Sequence, residues 1–193
     1  MTRIGIVGTG GISHAHASGF LALPDRATVT ALCDVDEANL NRMAARFPEA
    51  KRFSDWKELL ASDVDAVVIC LPHHLHRPCI VDCAEAGKHI LCEKPLCTNL
   101  DDAEQIRAAL RGGVKLMCAH NQLFDPAVER ARKALDDGLV GDVWALRTVD
   151  CVWLTEAMKG QWGWRGNKET MGGGCLIDTG YHPTYMLLYL ANS

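Results

Sequence analysis

The stretch Arg3-Ile4-Gly5-Ile6-Val7-Gly8-Thr9-Gly10-Gly11-Ile12-Ser13 decides the fold. Its first part is a compact apolar run ended by glycines, which predicts a buried strand over Arg3 to Gly8. Gly11 to Leu23 then reads as a helix. Between the two, Gly8 permits a tight turn and Gly10 lets a pyrophosphate approach the backbone. The amides of Gly11 and Ile12 at the helix start supply donors and the positive end of the helix dipole. The third small position is Ser13 rather than glycine, and smallness is all that it requires. A lone Gly-x-Gly is a weak signal, since any such turn favours glycine. Its context strengthens it, because Asp34 stands at the end of the second predicted strand, 24 positions after Gly10. That spacing suits a carboxylate on an adenosine ribose. Asp34 and nearby Asp36 repel a 2′-phosphate, and no arginine directly follows Asp34. The expected cofactor is therefore NAD rather than NADP.

Outward from this turn, strand and helix signals alternate. Thr28 to Cys33 is rich in strand formers, and Asp36 to Phe47 places Leu40, Met43, Ala44 and Phe47 at helical spacing. A short strand is expected at Lys51 to Phe53 and a brief helix at Asp55 to Ala61. Asp65 to Leu71 is the clearest buried strand, stopped by Pro72. His76 to Ala86 reads as a helix ended by Gly87, and Lys88 to Cys92 as the next strand. Asn99 caps a further helix, with Asp101 and Asp102 favouring its positive end. That helix is expected to stop at Gly112-Gly113, and Val114 to Ala119 is a sixth strand. Continuous apolar strands alternating with helices argue for an α/β fold of the Rossmann type, a doubly wound parallel sheet covered on both faces.

After Ala119 the rhythm changes. A helix is expected over Asp125 to Asp137, a longer strand over Val143 to Trp153, a polar loop over Thr155 to Met171, and a mostly helical segment over Cys175 to Leu190. The expected division is residues 1–122 for nucleotide binding and residues 123–193 for the start of an incomplete α/β substrate domain.

The 193 residues are 48% hydrophobic and 23% charged, ordinary for a globular chain. With a formal net charge of −4 and no basic stripe, no nucleic-acid partner is expected. The N-terminus enters an apolar strand directly, without a charged leader, and no apolar run is long enough to span a bilayer. The nine cysteines are odd in number and scattered, with no Cys-x-x-Cys. They read as reduced thiols of a cytoplasmic protein.

Several motifs now fall into one order. Gly8-Thr9-Gly10 follows the first strand, Leu71-Pro72 and His76 follow the fourth, and Glu93-Lys94-Pro95 ends the fifth. Gly172-Gly173-Gly174, Asp178, Gly180 and His182 complete the set. From Arg3 to Leu190 the chain resembles the glucose–fructose oxidoreductase and inositol dehydrogenase (Gfo/Idh/MocA) family. The resemblance implies an N-terminal Rossmann domain, a C-terminal domain with a large open sheet, and oxidation or reduction of secondary alcohols of sugars and cyclitols. It implies that Gly8, Gly10, Gly11, Ile12, Asp34, Leu71, Pro72, His76, Glu93 and Lys94 surround the cofactor. It further implies that Lys94 contacts nicotinamide and substrate, that Asp178 holds the substrate, and that His182 exchanges the proton. The expected partner is a small polyhydroxylated substrate, and the full-length enzyme is expected to be a homo-oligomer.

The chemistry of these residue types agrees. Parallel sheets bind ligands at the carboxyl ends of their strands, where Pro72 and Lys94 fall. Hydride transfer from a carbinol needs a base for the hydroxyl proton, which an imidazole supplies near neutral pH. A lysine stabilises developing alkoxide charge. Asp178 and His182 are four apart, so one helical face can present both, although Pro183 should bend or break that helix. Each residue also has a duller reading. Lys94 could be a surface lysine, His182 could pack on Tyr181 or Tyr185, Asp178 could serve the start of a helix, and the three glycines could be a flexible loop.

Secondary signals are His120 and Asn121 near a strand end, and Trp164-Arg165 before the glycines, all candidates for substrate contact. Arg165 could equally anchor its loop. Family members often carry an arginine before the aromatic in the segment where this chain has Leu123-Phe124. His73, His74, His76, Cys79 and Cys83 are the right types for a zinc site, but the two cysteines fit the inward face of a helix, and no metal is expected. Family members are considerably longer, and a single strand at Val143 to Trp153 cannot satisfy its own backbone. The chain is therefore expected to be a truncated product or a fragment. Besides the dehydrogenase reading, two alternatives stand: an NAD-dependent glycosidase of the same family, and a non-catalytic NAD-binding remnant or regulator.

Overall fold

The computed structural model describes residues 1–110, 112–151 and 163–192. The chain divides into two compact units, Met1–Cys118 and Ala119–Ser193.

The first unit is a six-stranded sheet. Its strands are β1 (Thr2–Val7), β2 (Ala27–Cys33), β3 (Lys51–Phe53), β4 (Ala66–Ile69), β5 (His89–Cys92) and β6 (Leu116–Cys118). They lie in the order β3-β2-β1-β4-β5-β6, every pair parallel. Five helices follow the strands: α1 (Ser13–Leu21), α2 (Glu37–Ala44), α3 (Trp56–Leu60), α4 (His76–Glu85) and α5 (Leu100–Ala109). Strand alternation, shifted by one residue at an irregularity between Val29 and Ala31 of β2, sends Ile4, Ile6, Val29, Leu32 and Val68 to one face, where Ala17 of α1 and Leu40 and Met43 of α2 meet them. Val7, Ala31, Cys33, Val67, Ile69, Ile90 and Cys92 point the other way, onto Leu59, Cys79, Ile80, Cys83 and Ile106 of α3, α4 and α5. Residues such as Ile6, Leu32 and Ile69 have no exposed surface. Each such side chain contributes roughly 1.5–3 kcal/mol by leaving water.

Caps mark the helix starts. Asp36 accepts from the amides of Ala38 and Asn39, Asp55 from Lys57, and Asn99 from Asp102. Helix α5 stops at Ala109, short of the expected glycines, with Leu110 already out of helical conformation. This order reverses between β1 and β4, and ligands of such sheets bind beyond the carboxyl ends of the strands at that reversal. Gly8, Asp34, Leu71-Pro72 and Glu93-Lys94-Pro95 all follow strands at that edge.

The second unit is helical where it is described. Helix α6 (Pro126–Asp136) is capped by Asp125 and carries its proline in the first turn. A 3-10 turn (Gly163–Gly166) leads to α7 (Lys168–Met171), α8 (Cys175–Asp178) and α9 (Tyr181–Ala191). Arg132 of α6 donates to the Tyr189 carbonyl of α9 at 2.8 Å.

Three expectations are corrected in this unit. Residues 143–151 of the expected strand form no ladder, and Trp153 lies outside the described residues. Trp144 is 95% exposed. Strand propensity is realised only against a neighbouring strand, and among the described residues of this unit there is none. The expected loop of 155–171 is helical in its described part, because Asn167 caps α7 through the Glu169 amide. The single helix expected from Cys175 onward is two. The chain breaks at Thr179-Gly180 and restarts so that Pro183 falls in the first turn of α9, where a missing amide hydrogen leaves no gap in the hydrogen bonding. A Cβ at Gly180 would lie 2.8 Å from the Leu176 carbonyl oxygen, so this corner admits only glycine without displacement.

Candidate functional site

In the first unit the turn after β1 is built around Gly8. Its φ of +87° is a left-handed conformation, and a Cβ there would lie 2.5 Å from the Cys70 carbonyl oxygen. Gly10 and Gly11 are different, since a Cβ at either meets nothing within 4 Å. No contact within this unit demands their smallness, and the open space beside them suits a group laid against the backbone. Among the described residues, the amides of Gly10, Gly11 and Ile12 donate to no protein acceptor. Helix α1 has no side-chain cap at its start. Open space, undirected amides and a helix N-terminus together fit a pyrophosphate.

Asp34 is held against this turn. Its Oδ2 accepts from the Thr9 amide at 2.6 Å and the Thr9 hydroxyl at 2.9 Å, while its Oδ1 accepts from the Asp36 amide at 2.9 Å. Thr9 is fully buried. Sequence reasoning passed over Thr9, although a hydroxyl between the two glycines was the available signal. Asp36 is engaged elsewhere, its carboxylate spent on capping α2.

At the end of β5, the Glu93 amide continues the sheet ladder to the Ile69 carbonyl at 2.9 Å. Glu93 Oε1 lies 2.8 Å from His16 Nε2, and Oε2 accepts from the Lys94 amide at 3.2 Å. Burial pushes the Glu93 carboxyl up, but the hydrogen bonds from His16 and the Lys94 amide and the charges of His16 and Lys94 outweigh it. Its pKa is lowered from the ordinary value. Lys94 is half-buried, and the Lys94–Pro95 peptide is cis.

His76, expected beside the cofactor, is spent on the protein's own main chain at this edge. It has no exposed surface, with Nδ1 2.7 Å from the Pro95 carbonyl and Nε2 2.8 Å from the Leu71 carbonyl. Burial lowers its pKa, against the two carbonyls and Glu93, which raise it. The ring ties the loop after β4, with Leu71 and Pro72, to the loop after β5. Cys79 and Cys83 lie fully buried on α4, and among the described residues no group of three or more His, Cys, Asp or Glu is placed to hold a metal. No helix among the described residues is long and apolar enough to cross a membrane.

In the second unit, Asp178 is buried at the end of α8, with Oδ2 3.4 Å from Arg165 Nε. The Arg165 guanidinium stacks over the Trp164 ring at 4.3 Å. Arg165 thereby links the Trp164 ring to Asp178. His182 Nδ1 lies 2.7 Å from Tyr185 Oη, one helical turn on. The His120 ring stacks on Tyr185 with centroids 4.3 Å apart, and its Nε2 is 3.1 Å from Tyr181 Oη. Burial lowers the His120 pKa. Asn121 is exposed at the start of the next turn. Asp178 and His182 therefore belong to different helices rather than to one face. Each has its own supporting group, Arg165 for the acid and Tyr185 for the imidazole.

Residues 2–120 match the family profile described as "Oxidoreductase family, NAD-binding Rossmann fold" under the heading GFO_IDH_MocA, and residues 128–193 match the GFO/IDH/MocA C-terminal domain. The chain belongs to the Gfo/Idh/MocA family of oxidoreductases. Its first unit is the family's NAD-binding Rossmann fold. Among curated Gfo/Idh/MocA relatives, the myo-inositol 2-dehydrogenase of Thermotoga maritima is 35% identical over 147 residues, covering 75% of this chain and 44% of the relative. The 1,5-anhydro-D-fructose reductase of Ensifer adhaerens is 31% identical over 197 residues, covering 100% of this chain and 57% of the relative. The WlbA dehydrogenase of Bordetella pertussis, solved with NADH and UDP-GlcNAcA, superposes with a TM-score of 0.85 at 27% identity over 98% of this chain and 58% of that one. The chain thus spans about half the length of these Gfo/Idh/MocA relatives.

Proposed function

We propose that this chain carries the cofactor-binding and proton-handling parts of an NAD-dependent oxidoreductase acting on a secondary alcohol of a sugar or cyclitol. The observation that carries the reading lies within the first unit. The open turn at Gly10 and the strand end bearing Lys94 stand at the same edge of one parallel sheet. NAD, when bound, would supply the nicotinamide that exchanges a hydride with the carbinol carbon. The amides of Gly10, Gly11 and Ile12 would hold its pyrophosphate, and Asp34 would take its adenosine ribose hydroxyls. The Lys94 ammonium stabilises negative charge on the substrate oxygen as its proton leaves. His182 takes that proton at Nε2, its Nδ1 being held by Tyr185. Asp178, oriented by Arg165, accepts a hydrogen bond from a neighbouring hydroxyl. A polyhydroxylated substrate matches the inositol and anhydro-sugar named for the two curated relatives.

The test is NADH formation across a panel of inositols and sugars, together with NADH and NADPH titrations of the chain. The expected result is tighter binding of NADH, and turnover of at least one cyclitol or sugar that falls at least about 100-fold in Lys94→Ala. Undiminished turnover in Lys94→Ala overturns the role given to that lysine.

A further inference from the structure

His16 has no part in the reading above, yet its environment ties it to Lys94. It lies one turn into α1, the helix that begins at the glycine turn. Its side chain is 16% exposed and that of Glu93 13%, so the 2.8 Å contact between Nε2 and Oε1 is largely shielded from water. Glu93 holds its proton less tightly than an ordinary glutamic acid and is a carboxylate at neutral pH. One of its oxygens faces α1 and the other accepts from the main-chain amide of Lys94. On the far side of the lysine, the Pro95 carbonyl is held by His76, which also reaches the Leu71 carbonyl. The lysine main chain is therefore bracketed, through Glu93 to α1 and through Pro95 to α4.

We infer that His16 is a positioning residue for Lys94, acting through Glu93 and joining the helix of the cofactor turn to the lysine. The inference rests on the reading that Lys94 serves the ligand, but its geometry belongs to the protein alone. A hydrogen bond to a carboxylate shielded from water is strong and directional. Its loss frees the Glu93 side chain, and with it the acceptor that orients the Lys94 amide. A main chain held on both sides fixes the direction in which the lysine side chain leaves it, which a group at a reacting centre needs.

The test uses the full chain without ligand. Its lysines are dimethylated with carbon-13 formaldehyde, and each dimethylamine resonance is followed as a function of pH. Lys94→Arg assigns the Lys94 signal. In His16→Ala the Lys94 resonance is expected to shift. The signals of Lys57, Lys88 and Lys115, and amide exchange across β1 to β6, should stay as in the parent. His16→Gln, which offers an amide N–H to the same oxygen, is expected to restore most of the parent signal. Glu93→Gln, close in shape, should move the Lys94 signal as His16→Ala does, and it decides the matter if His16→Ala fails to fold. An unmoved Lys94 signal in the folded variants overturns the inference, as does an equal shift of every lysine. These readouts need neither NAD nor substrate. Failure of the Lys94 turnover test would therefore leave the bracket standing, and failure here would leave the turnover result untouched.

Discussion

Thr9 closes the cofactor turn onto Asp34, its amide and its hydroxyl both donating to the same carboxylate oxygen at 2.6 and 2.9 Å. The two residues lie 25 positions apart, so this contact joins the end of β1 to the end of β2 across the sheet. Hydrogen bonds to a charged acceptor contribute about 1.5–3 kcal/mol each, enough to fix the carboxylate before any ligand arrives. The Asp36 amide holds the other oxygen. The acid is thus fixed in advance, as the contact with a ribose proposed for it requires.

Replacing Asp34 by serine should weaken NADH binding by about tenfold, corresponding to about 1.4 kcal/mol. Binding of NADPH should weaken less or improve, because the charge that repels its 2′-phosphate is gone. Fluorescence titrations of the parent and Asp34→Ser with both nucleotides check this. Equal preference for the two nucleotides in the parent would remove the basis of the argument.

The two glycines of the turn should respond in opposite ways. Gly8→Ala forces a Cβ to within 2.5 Å of the Cys70 carbonyl oxygen in a left-handed conformation. It should cost about 2–4 kcal/mol of stability in urea denaturation, from left-handed strain plus overpacking. Gly10→Ala meets nothing within 4 Å and should leave stability within about 0.5 kcal/mol of the parent. Its effect should fall on NADH affinity, since the new methyl occupies the space given to the pyrophosphate. A Gly10→Ala protein that binds NADH as the parent does would move the pyrophosphate elsewhere.

The acid limb of the stability curve carries the signature of Glu93. Its folded-state pKa lies below the ordinary value despite burial, because hydrogen bonds from His16 and the Lys94 amide favour the ionised form. The stabilisation is therefore complete above the unfolded pKa of about 4.3 and is lost as pH falls through the lower folded value. Glu93→Gln should melt below the parent near pH 6, and the gap should narrow as pH falls below about 4. Thermal melts between those limits measure it, and a gap that does not change with pH would assign the loss to packing alone.

The first unit was legible because its strands are buried on both faces. Runs such as Ala66–Ile69 need no alternation to be recognised, and turn residues bound them closely. The cap at Asn99 was readable for a local reason, a short side chain bonding an amide three residues ahead, and Asp55 and Asp125, read as the first residues of their helices, cap them in the same way. What failed to read depended on distant partners. Residues 143–151 have the composition of a strand but no neighbour among the described residues of their unit, and composition cannot report that. The break between Asp178 and His182 was half legible. Pro183 signalled an interruption, but the close approach of Gly180 to Leu176, which sets its place, is a three-dimensional fact. His76 was recognised by position, but nothing in its spacing tells that both ring nitrogens end on carbonyls.

His182 should depend on Tyr185 for its orientation. Tyr185 is 6% exposed, with its ring stacked on His120 and its hydroxyl 2.7 Å from His182 Nδ1 and 3.4 Å from the Gln122 amide. Tyr185→Phe removes the oxygen and keeps the ring, so packing survives while the contact with the imidazole is lost. The expected loss of stability is about 1 kcal/mol, the net worth of one such hydrogen bond. A nitrogen-15 spectrum of the histidine rings should show Nδ1 of His182 displaced, while His16 and His76 keep their parent positions. In a protein with turnover, a loss of about tenfold in kcat with little change in KM is expected, because an imidazole held in one orientation serves the transition state more than the bound ground state. An unchanged His182 ring spectrum in Tyr185→Phe would mean that Tyr185 does not hold this histidine in solution, and the Nε2 route for the substrate proton would lose its support.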